Sequence, residues 1–326
     1  MTTDPDSLAA DVRAGNRAAL ARAITWAEST RPEHRTAAQS VLTALADRAG
    51  AAARVGITGP PGVGKSTFIE AMGTFLTGQG LKVAVLAVDP SSSRTQGSIL
   101  GDKTRMPDLA ADPGAFIRPS PSSGALGGAG RKTREAILIC EGAGFDVVIV
   151  ETVGVGQSET LTAEMTDTFM ALMLPGAGDE LQGVKKGIIE IADILVVNKA
   201  DGDNAERARR AAKDLKAAIH ILQPGETAWQ TPVLTCSALK KERIGEVWET
   251  VEAHRAAMNE AGKFEARRRD QRVTWLKAML EERVMEAFEA DDGAKSALKR
   301  LQGDVASGAV PAGAAADEII AAWRKT

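Results

Sequence analysis

The segment that most constrains this chain is residues 59–66, which read Gly-Pro-Pro-Gly-Val-Gly-Lys-Ser. They fit the pattern G-x-x-x-x-G-K-[ST] in full, with a short apolar run before them and a predicted helix at residues 67–76 after them. This order surrounds an anion with backbone N–H groups and with the positive N-terminus of a helix. The segment therefore predicts a nucleoside triphosphate site.

Individual residues of this loop have separate predicted tasks. Gly62 and Gly64 carry no Cβ, so the backbone can close around phosphate oxygens. Lys65 is expected to reach the β- and γ-phosphates, and Ser66 to offer its hydroxyl to Mg²⁺. The predicted phosphate-binding residues are Gly59, Pro60, Pro61, Gly62, Val63, Gly64, Lys65, Ser66 and Thr67.

Composition limits the class of protein. The chain has 326 residues, of which 44% are hydrophobic and 25% charged, and its formal net charge is -3. These values are typical of a globular protein and give no reason to expect nucleic acid or a membrane surface as partner. Cys140 and Cys236 lie far apart in apolar segments, which favours buried free thiols. With no long apolar run and no signal-peptide pattern at the N-terminus, we expect a cytoplasmic protein.

The middle of the chain predicts the fold. Apolar strand runs alternate with helices between residues 54 and 240, which is typical of an α/β protein with a mostly parallel central sheet flanked by helices. The predicted strands are residues 55–58, 81–88, 115–118, 146–150, 168–174, 194–197 and 233–235. Ligands bind at the carboxyl ends of such strands. We predict an N-terminal helical extension (1–50), a P-loop domain (51–255) and a C-terminal helical region (256–326).

The two ends of the chain read as helices. Gly15-Asn16 predicts a helix end followed by an N-cap, and Pro32 predicts the start of a third helix. These N-terminal helices are expected to pack on the nucleotide domain or to meet a partner. Residues 264–288 predict one long helix with apolar residues four apart, followed by two shorter helices after Gly293. We expect this C-terminal region to form a homodimer.

Three consecutive arginines lie in the long C-terminal helix, at residues 267–269. By themselves they resemble a basic patch for nucleic acid. The residues around them include four acidic ones, namely Glu265, Asp270, Glu281 and Glu282. Mixed charge of this kind favours a solvent-exposed helix face.

Carboxylates that follow strands supply candidate metal ligands. Asp89 follows the strand beside the P-loop strand and can reach Mg²⁺, and Asp102 lies in the next loop and can join it. Lys103 or Arg105 of the same loop is a candidate to stabilise charge at the γ-phosphate. Solvent-exposed loop charges are the alternative for each.

Residues 151–157, Glu-Thr-Val-Gly-Val-Gly-Gln, have the form of a switch element. Glu151 is predicted to sense Mg²⁺, Gly154 to donate its N–H to the γ-phosphate, and Gln157 to orient water. A further Gly-rich acidic loop, residues 175–183, precedes Lys185, and Asp179 or Lys185 would contact the site only after closure. A passive surface loop is equally compatible with that segment.

The base is predicted by Asn198-Lys-Ala-Asp201, directly after an apolar strand. Asp201 can accept hydrogen bonds from guanine N1–H and from its 2-amino group, which adenine does not offer. Asn198 can hold the loop, and the stem of Lys199 can cover the base. Thr235-Cys-Ser-Ala238 matches the last loop of GTPases, so Ser237, Ala238 and Leu239 are predicted to present backbone N–H groups to guanine O6. Together with the P-loop, these residues favour GTP over ATP.

Long motifs of this chain resemble those of the MeaB/ArgK GTPases. This family belongs to the SIMIBI class of P-loop GTPases, and its members act as G-protein chaperones of methylmalonyl-CoA mutase. The matching segments are the P-loop, Val88-Asp-Pro-Ser-Ser-Ser93, residues 98–106, residues 118–128, residues 151–158 and Asn198-Lys-Ala-Asp201. The match covers nearly the whole chain. Glu151, unusual beside Ras-like proteins, is what this family has at that position.

The resemblance implies a homodimeric GTPase that uses GTP/GDP and Mg²⁺ and binds adenosylcobalamin-dependent methylmalonyl-CoA mutase. In the family, GTP binding and hydrolysis gate cofactor loading from an adenosyltransferase and protect the mutase. Nucleotide and metal roles carry over to Lys65, Ser66, Asp89, Asp102, Glu151, Asn198 and Asp201. An older label ties some members to transport of basic amino acids, which no feature of this sequence supports.

Two alternative functions remain open at this point. A metal-delivery GTPase would need Cys or His ligands near the switch segments, and His34, His220 and His254 are scattered. A small-molecule kinase would need an acceptor pocket, which the sequence does not indicate.

Overall fold

The computed structural model describes residues 4–88, 105–119, 126–152, 158–175, 186–222 and 228–324. Its strands are β1 (Ala53–Thr58), β2 (Val83–Val88), β3 (Ala115–Pro119), β4 (Val147–Thr152), β5 (Thr168–Met173), β6 (Ile194–Val197) and β7 (Val233–Thr235). They form one sheet in the order β3-β2-β4-β1-β5-β6-β7, and each neighbouring pair is parallel. The predicted α/β fold is confirmed.

α-Helices make up most of the rest of the described chain. They are α1 (Pro5–Arg13), α2 (Arg17–Glu28), α3 (Pro32–Ala44), α4 (Lys65–Gly78), α5 (Pro107–Ala111), α6 (Leu126–Gly142), α7 (Ser158–Ala163), α8 (Lys186–Ile191), α9 (Ala205–Leu222), α10 (Ile244–Glu260), α11 (Lys263–Ala290), α12 (Asp292–Ala306) and α13 (Ala312–Trp323). In the part described, no helix combines the length and the apolar character that a membrane crossing requires.

The end of β4 differs from the sequence prediction, because pairing with neighbouring strands determines where it ends. β4 extends through Glu151 to Thr152, beyond the predicted end at residue 150, because Glu151 pairs with Ile57 of β1 and with Ala87 of β2. Glu151 therefore lies inside the strand, and its backbone is held on both sides. α4 begins at Lys65, earlier than predicted, so the P-loop leads straight into the helix.

The sheet is covered on both faces, as a parallel sheet requires. Successive residues of β5 alternate between two cores: Phe169 and Met173 lie in the core with α8 and α9, whereas Met170 and Leu172 lie in the core with α4 and α10. The two cysteines are buried free thiols, as predicted, and burial raises the pKa of Cys236 to about 12.

The N-terminal helices begin and end as the sequence predicts. The Asn16 side chain accepts hydrogen bonds from the N–H groups of Ala18 and Ala19, at 3.0 and 3.1 Å, and Pro32 opens α3. α1, α2 and α3 pack on one another and on α6. Arg118 at the end of β3 pairs with Glu28 of α2, Nη2 to Oε2, at 2.5 Å. The expectation that these helices pack on the nucleotide domain is confirmed.

The chain divides into two compact units, Met1–Gln271 and Arg272–Thr326, and the division falls within α11. In the second unit the rings of Phe288 and Trp323 meet edge to face at 5.5 Å, and Leu301 is buried. The first of the two shorter helices, α12, begins at Asp292 and not after Gly293 as predicted. The reason is that the Asp291 side chain accepts the Ala294 N–H at 2.7 Å and caps α12 one residue before it begins.

The prediction that the arginines at 267–269 form a solvent-exposed face is wrong for two of them. Arg268 is 4% exposed and makes a bidentate pair with buried Asp167, at 2.8 Å from Nε and 2.7 Å from Nη2. Arg267 pairs with Asp193 at 3.2 Å, and only Arg269 is exposed. Sequence neighbours suggested solvated charge, whereas the actual partners lie far away in sequence, beside β5 and β6.

Candidate functional site

The P-loop joins β1 to α4 at the carboxyl edge of the sheet, and its glycines are required by its shape. Gly59 has φ 151°, and a Cβ there would lie 2.6 Å from the Leu172 carbonyl oxygen. Gly64 has φ 92°, and a Cβ there would lie 3.0 Å from Asn198 Nδ2. The loop therefore fits closely against β5 and the loop after β6. Around them, Val63 is buried, Pro60 is partly buried, and Pro61 and Thr67 are exposed.

Lys65 is the first residue of α4 and its side chain turns back over the loop. Its Nζ donates to the Gly59 carbonyl at 2.8 Å and contacts the Pro60 carbonyl at 3.4 Å. Burial lowers the pKa of the Lys65 ammonium, while Glu151 and Glu159 act against that shift. Glu159, a buried residue of α7, was not predicted from sequence. The Lys65 ammonium thus lies beside the loop backbone and is attracted by the carboxylates of Glu151 and Glu159.

Ser66 and Glu151 bring two oxygen ligands together. Ser66 Oγ lies 3.4 Å from Glu151 Oε1, and Glu151 is 6% exposed. Next to them the hydroxyls of Thr58 and Thr152 are 2.7 Å apart. Hydroxyl and carboxylate oxygens suit Mg²⁺, which commonly takes only one or two protein ligands and completes its shell with water and phosphate. No group of three or more His, Cys, Asp or Glu residues suited to a metal occurs within the residues described.

Asn198 connects the P-loop to the loop after β7. Its Nδ2 donates to the Val63 carbonyl at 2.9 Å, and its Oδ1 accepts the Ala238 N–H at 3.0 Å. The side chain is 1% exposed, so these hydrogen bonds are shielded from water. Asn198 therefore fixes the distance between the predicted phosphate and base segments.

Lys199 and Asp201 complete the loop after β6. Lys199 has φ 59° and its Nζ donates to the Gly62 carbonyl at 2.6 Å, so its stem lies over the P-loop. The Asp201 carboxylate accepts the Ser237 hydroxyl at 2.7 Å, and Ser237 Oγ in turn accepts the Lys240 N–H at 3.1 Å. The sequence predicts a backbone role for Ser237 and does not indicate this side-chain contact. Leu239 is 74% exposed at the tip of the loop.

The remaining predicted residues are Arg105 and several that lie outside the described ranges. Arg105 is exposed in the turn before α5. The candidates Asp89, Asp102, Gly154, Gln157 and Lys185 lie outside the described residues.

Comparisons with known proteins agree with this geometry. A family model described as "Methylmalonyl Co-A mutase-associated GTPase MeaB" matches residues 20–293. A putative GTPase of Caulobacter vibrioides is 55% identical, over 98% of each chain. The GTPase ArgK of Escherichia coli is 51% identical, over 86% of this chain and 85% of its own. A crystal structure described as a LAO/AO transport system kinase is 39% identical, has a TM-score of 0.77, and matches over 100% of this chain and 99% of its own.

Proposed function

The chain belongs to the MeaB family of methylmalonyl Co-A mutase-associated GTPases, and we propose that it uses GTP to control adenosylcobalamin-dependent methylmalonyl-CoA mutase. It is a guanine-nucleotide-binding GTPase with a P-loop fold. In the proposed role, GTP binding and hydrolysis gate loading of the mutase with its cofactor, delivered by an adenosyltransferase, and protect the mutase from inactivation. The observation that carries the nucleotide part is the link through Asn198, which joins the P-loop to the base loop.

The P-loop is proposed to hold the phosphates. Backbone N–H groups of residues 62–67 would face the β- and γ-phosphate oxygens at the N-terminus of α4, since Pro60 and Pro61 have no N–H to donate. The Lys65 ammonium would exchange its contacts with the loop carbonyls for contacts with phosphate, a stronger charge-assisted interaction. Lys199 would remain over the loop and cover one side of the nucleotide.

Mg²⁺ is the proposed metal, held by Ser66 and Glu151 on the described side of the site. The 3.4 Å approach of their oxygens supports this pair. Asp89 and Asp102, outside the described residues, are the further proposed ligands. When bound, Mg²⁺ acts as a Lewis acid that neutralises charge on the β- and γ-phosphate oxygens.

Hydrolysis is proposed to proceed by in-line attack of water on the γ-phosphorus. A bond forms from the water oxygen to phosphorus while the bond from phosphorus to the β–γ bridging oxygen breaks, giving GDP and phosphate. Lys65 stabilises the charge that develops on these oxygens. Gln157 is proposed to orient the water, and Arg105 or Lys185 to reach the γ-phosphate after closure.

Base recognition is proposed for Asp201, and Asp201→Asn tests it. Loss of the charged acceptor is expected to weaken GDP and GTP binding about 10- to 100-fold, since hydrogen bonds to charged groups contribute ~1.5–3 kcal/mol. Xanthine nucleotides should bind more tightly to the Asp201→Asn protein than to the native protein, because an Asn amide can donate to the 2-carbonyl oxygen of xanthine. Dissociation constants from nucleotide fluorescence measure both effects. Asp203→Asn, an exposed carboxylate two residues away, is the control, and unchanged guanine affinity in Asp201→Asn contradicts the assignment.

The homodimer and the mutase complex are proposed together, and one experiment tests both. In the second unit, α11 exposes Leu276 (66%), Leu280 (60%) and Val284 (41%) at intervals of four residues. An exposed apolar row of this kind favours a second copy as its cover. Light scattering during size-exclusion chromatography is expected to give a dimer mass for the protein alone, a monomer for Leu276→Glu/Leu280→Glu, and a larger complex with purified mutase. A native protein that is monomeric and does not bind the mutase with GTP, with GDP or without nucleotide contradicts both proposals.

A further inference from the structure

The loop after β7 contains an ion pair that the proposed nucleotide contacts do not use. Arg243 lies between β7 and α10, and its Nε and Nη2 donate to the Glu246 carboxylate at 3.0 and 2.6 Å. Its Nη1 donates to the hydroxyl of Thr235, the last residue of β7. One guanidinium thereby connects the end of the strand to the first turn of the helix, across the base of the loop.

The loop that this link spans has a strained backbone. Arg243 has φ 62° and ψ 19°, and Lys241 has φ 55°, both in the left-handed region that non-glycine residues avoid. Backbone hydrogen bonds between Ser237 and Glu242, at 3.2 and 3.0 Å, close the loop on itself. Such a conformation persists only where surrounding contacts hold it, and the Arg243 side chain supplies contacts at both ends.

The held loop contacts the two residues proposed to organise the guanine site. Ala238 donates its N–H to Asn198, and the Ser237 hydroxyl donates to Asp201. The pair is also exposed, at 48% for the Arg243 side chain and 52% for Glu246, so it contributes little to overall stability. The Arg243–Glu246 pair joins the two ends of the loop that contacts Asn198 and Asp201. Because its expected effect on overall stability is small, a purely structural role does not explain it.

We propose that Arg243, through Glu246 and Thr235, is a positioning residue that fixes residues 237–239 against guanine O6. This inference rests on the proposed base site. Arg243 does not touch the nucleotide in this account. It sets the spacing between β7 and α10, so that the loop already has its shape when the base arrives, which lowers the ordering cost of binding.

The test compares GTP with ITP, which keeps the 6-oxygen and N1–H but lacks the 2-amino group. Arg243→Ala is expected to raise the dissociation constants of both about tenfold, and equally, because both share the 6-oxygen. Asp201→Asn should weaken GTP more than ITP, since only GTP offers the 2-amino donor. Turnover at saturating GTP should stay near the native value in Arg243→Ala, so that the effect falls on KM and not on kcat.

Matched variants separate positioning from charge and from folding. Arg243→Lys keeps the charge but cannot form the fork that spans both partners, and is expected to behave like Arg243→Ala. Glu246→Ala removes the acceptor at the helix end of the link and serves if Arg243→Ala folds poorly. Arg209→Ala removes an exposed pair with Glu206 of the same i,i+3 spacing, 2.9 Å apart, and should leave affinity unchanged.

Native affinity in both Arg243→Ala and Glu246→Ala, with the Asp201→Asn loss intact, would overturn the inference and leave the base site standing. Full rescue by Arg243→Lys would also overturn it, because a charge alone would then suffice. If Asp201→Asn binds GTP normally, the base site itself is misplaced and the inference falls with it.

Discussion

Replacing Lys65 with alanine is expected to lower kcat for GTP by about 10²–10³-fold, the cost of removing one preorganised donor from developing transition-state charge. The side chain already lies across the loop, 2.8 Å from the Gly59 carbonyl, beside two buried carboxylates. Its positive charge is therefore held at the phosphate loop and does not have to be brought in from solvent during reaction.

Phosphate release under saturating GTP measures this loss. Lys213→Ala, which removes an exposed lysine from α9, is the control and should keep native turnover. Because the hydrogen bonds of the Lys65 side chain go to the carbonyls of the loop and not to the core, the fold of Lys65→Ala should survive, which a urea unfolding curve checks. Native turnover in a correctly folded Lys65→Ala protein would remove the P-loop from the proposed chemistry.

Arg268→Ala is expected to destabilise the protein by ~3–5 kcal/mol, the usual result of removing one partner from a buried ion pair. Asp167 would remain 3% exposed with its carboxylate unpaired, and it also accepts the Arg54 N–H at 2.9 Å. The Ala52 carbonyl, which accepts from Arg268 Nη2 at 2.8 Å, would lose its donor too. The loss therefore reaches the start of β1, the strand that leads into the P-loop.

Urea unfolding gives the change in free energy, and the next residue provides the control. Arg269 is 70% exposed and lies 3.9 Å from Asp270, so Arg269→Ala should change stability by less than about 0.5 kcal/mol. The double variant Arg268→Met/Asp167→Leu removes both charges and should recover much of the loss. Equal small effects for Arg268→Ala and Arg269→Ala would contradict the buried-pair account.

Local sequence patterns predicted the features that depend on neighbours in sequence. The P-loop and its flanking strand and helix follow from spacing, and the N-cap at Asn16 and the helix start at Pro32 follow from residue type. The parallel sheet follows from alternating runs. These features need no knowledge of what packs against them.

Features that depend on distant partners were missed. The pattern ended β4 before Glu151, whereas pairing with strands on both sides extends it. Arg268 looked solvated because its neighbours are charged, but its partner Asp167 is distant in sequence and joins it only in the fold. The Ser237 hydroxyl was overlooked because its acceptor, Asp201, follows a different strand. In each case a long-range contact overrides the local signal.

We propose that GTP hydrolysis by this protein responds to adenosylcobalamin-dependent methylmalonyl-CoA mutase. The most direct measurement is GTP turnover at increasing concentrations of purified mutase, with ATP as the control nucleotide and Lys65→Ala as the control protein. We expect GTP turnover to rise with the mutase concentration and to saturate, while neither ATP nor the Lys65→Ala protein gives a rise. GTP turnover that stays constant across the whole range of mutase concentration would contradict it.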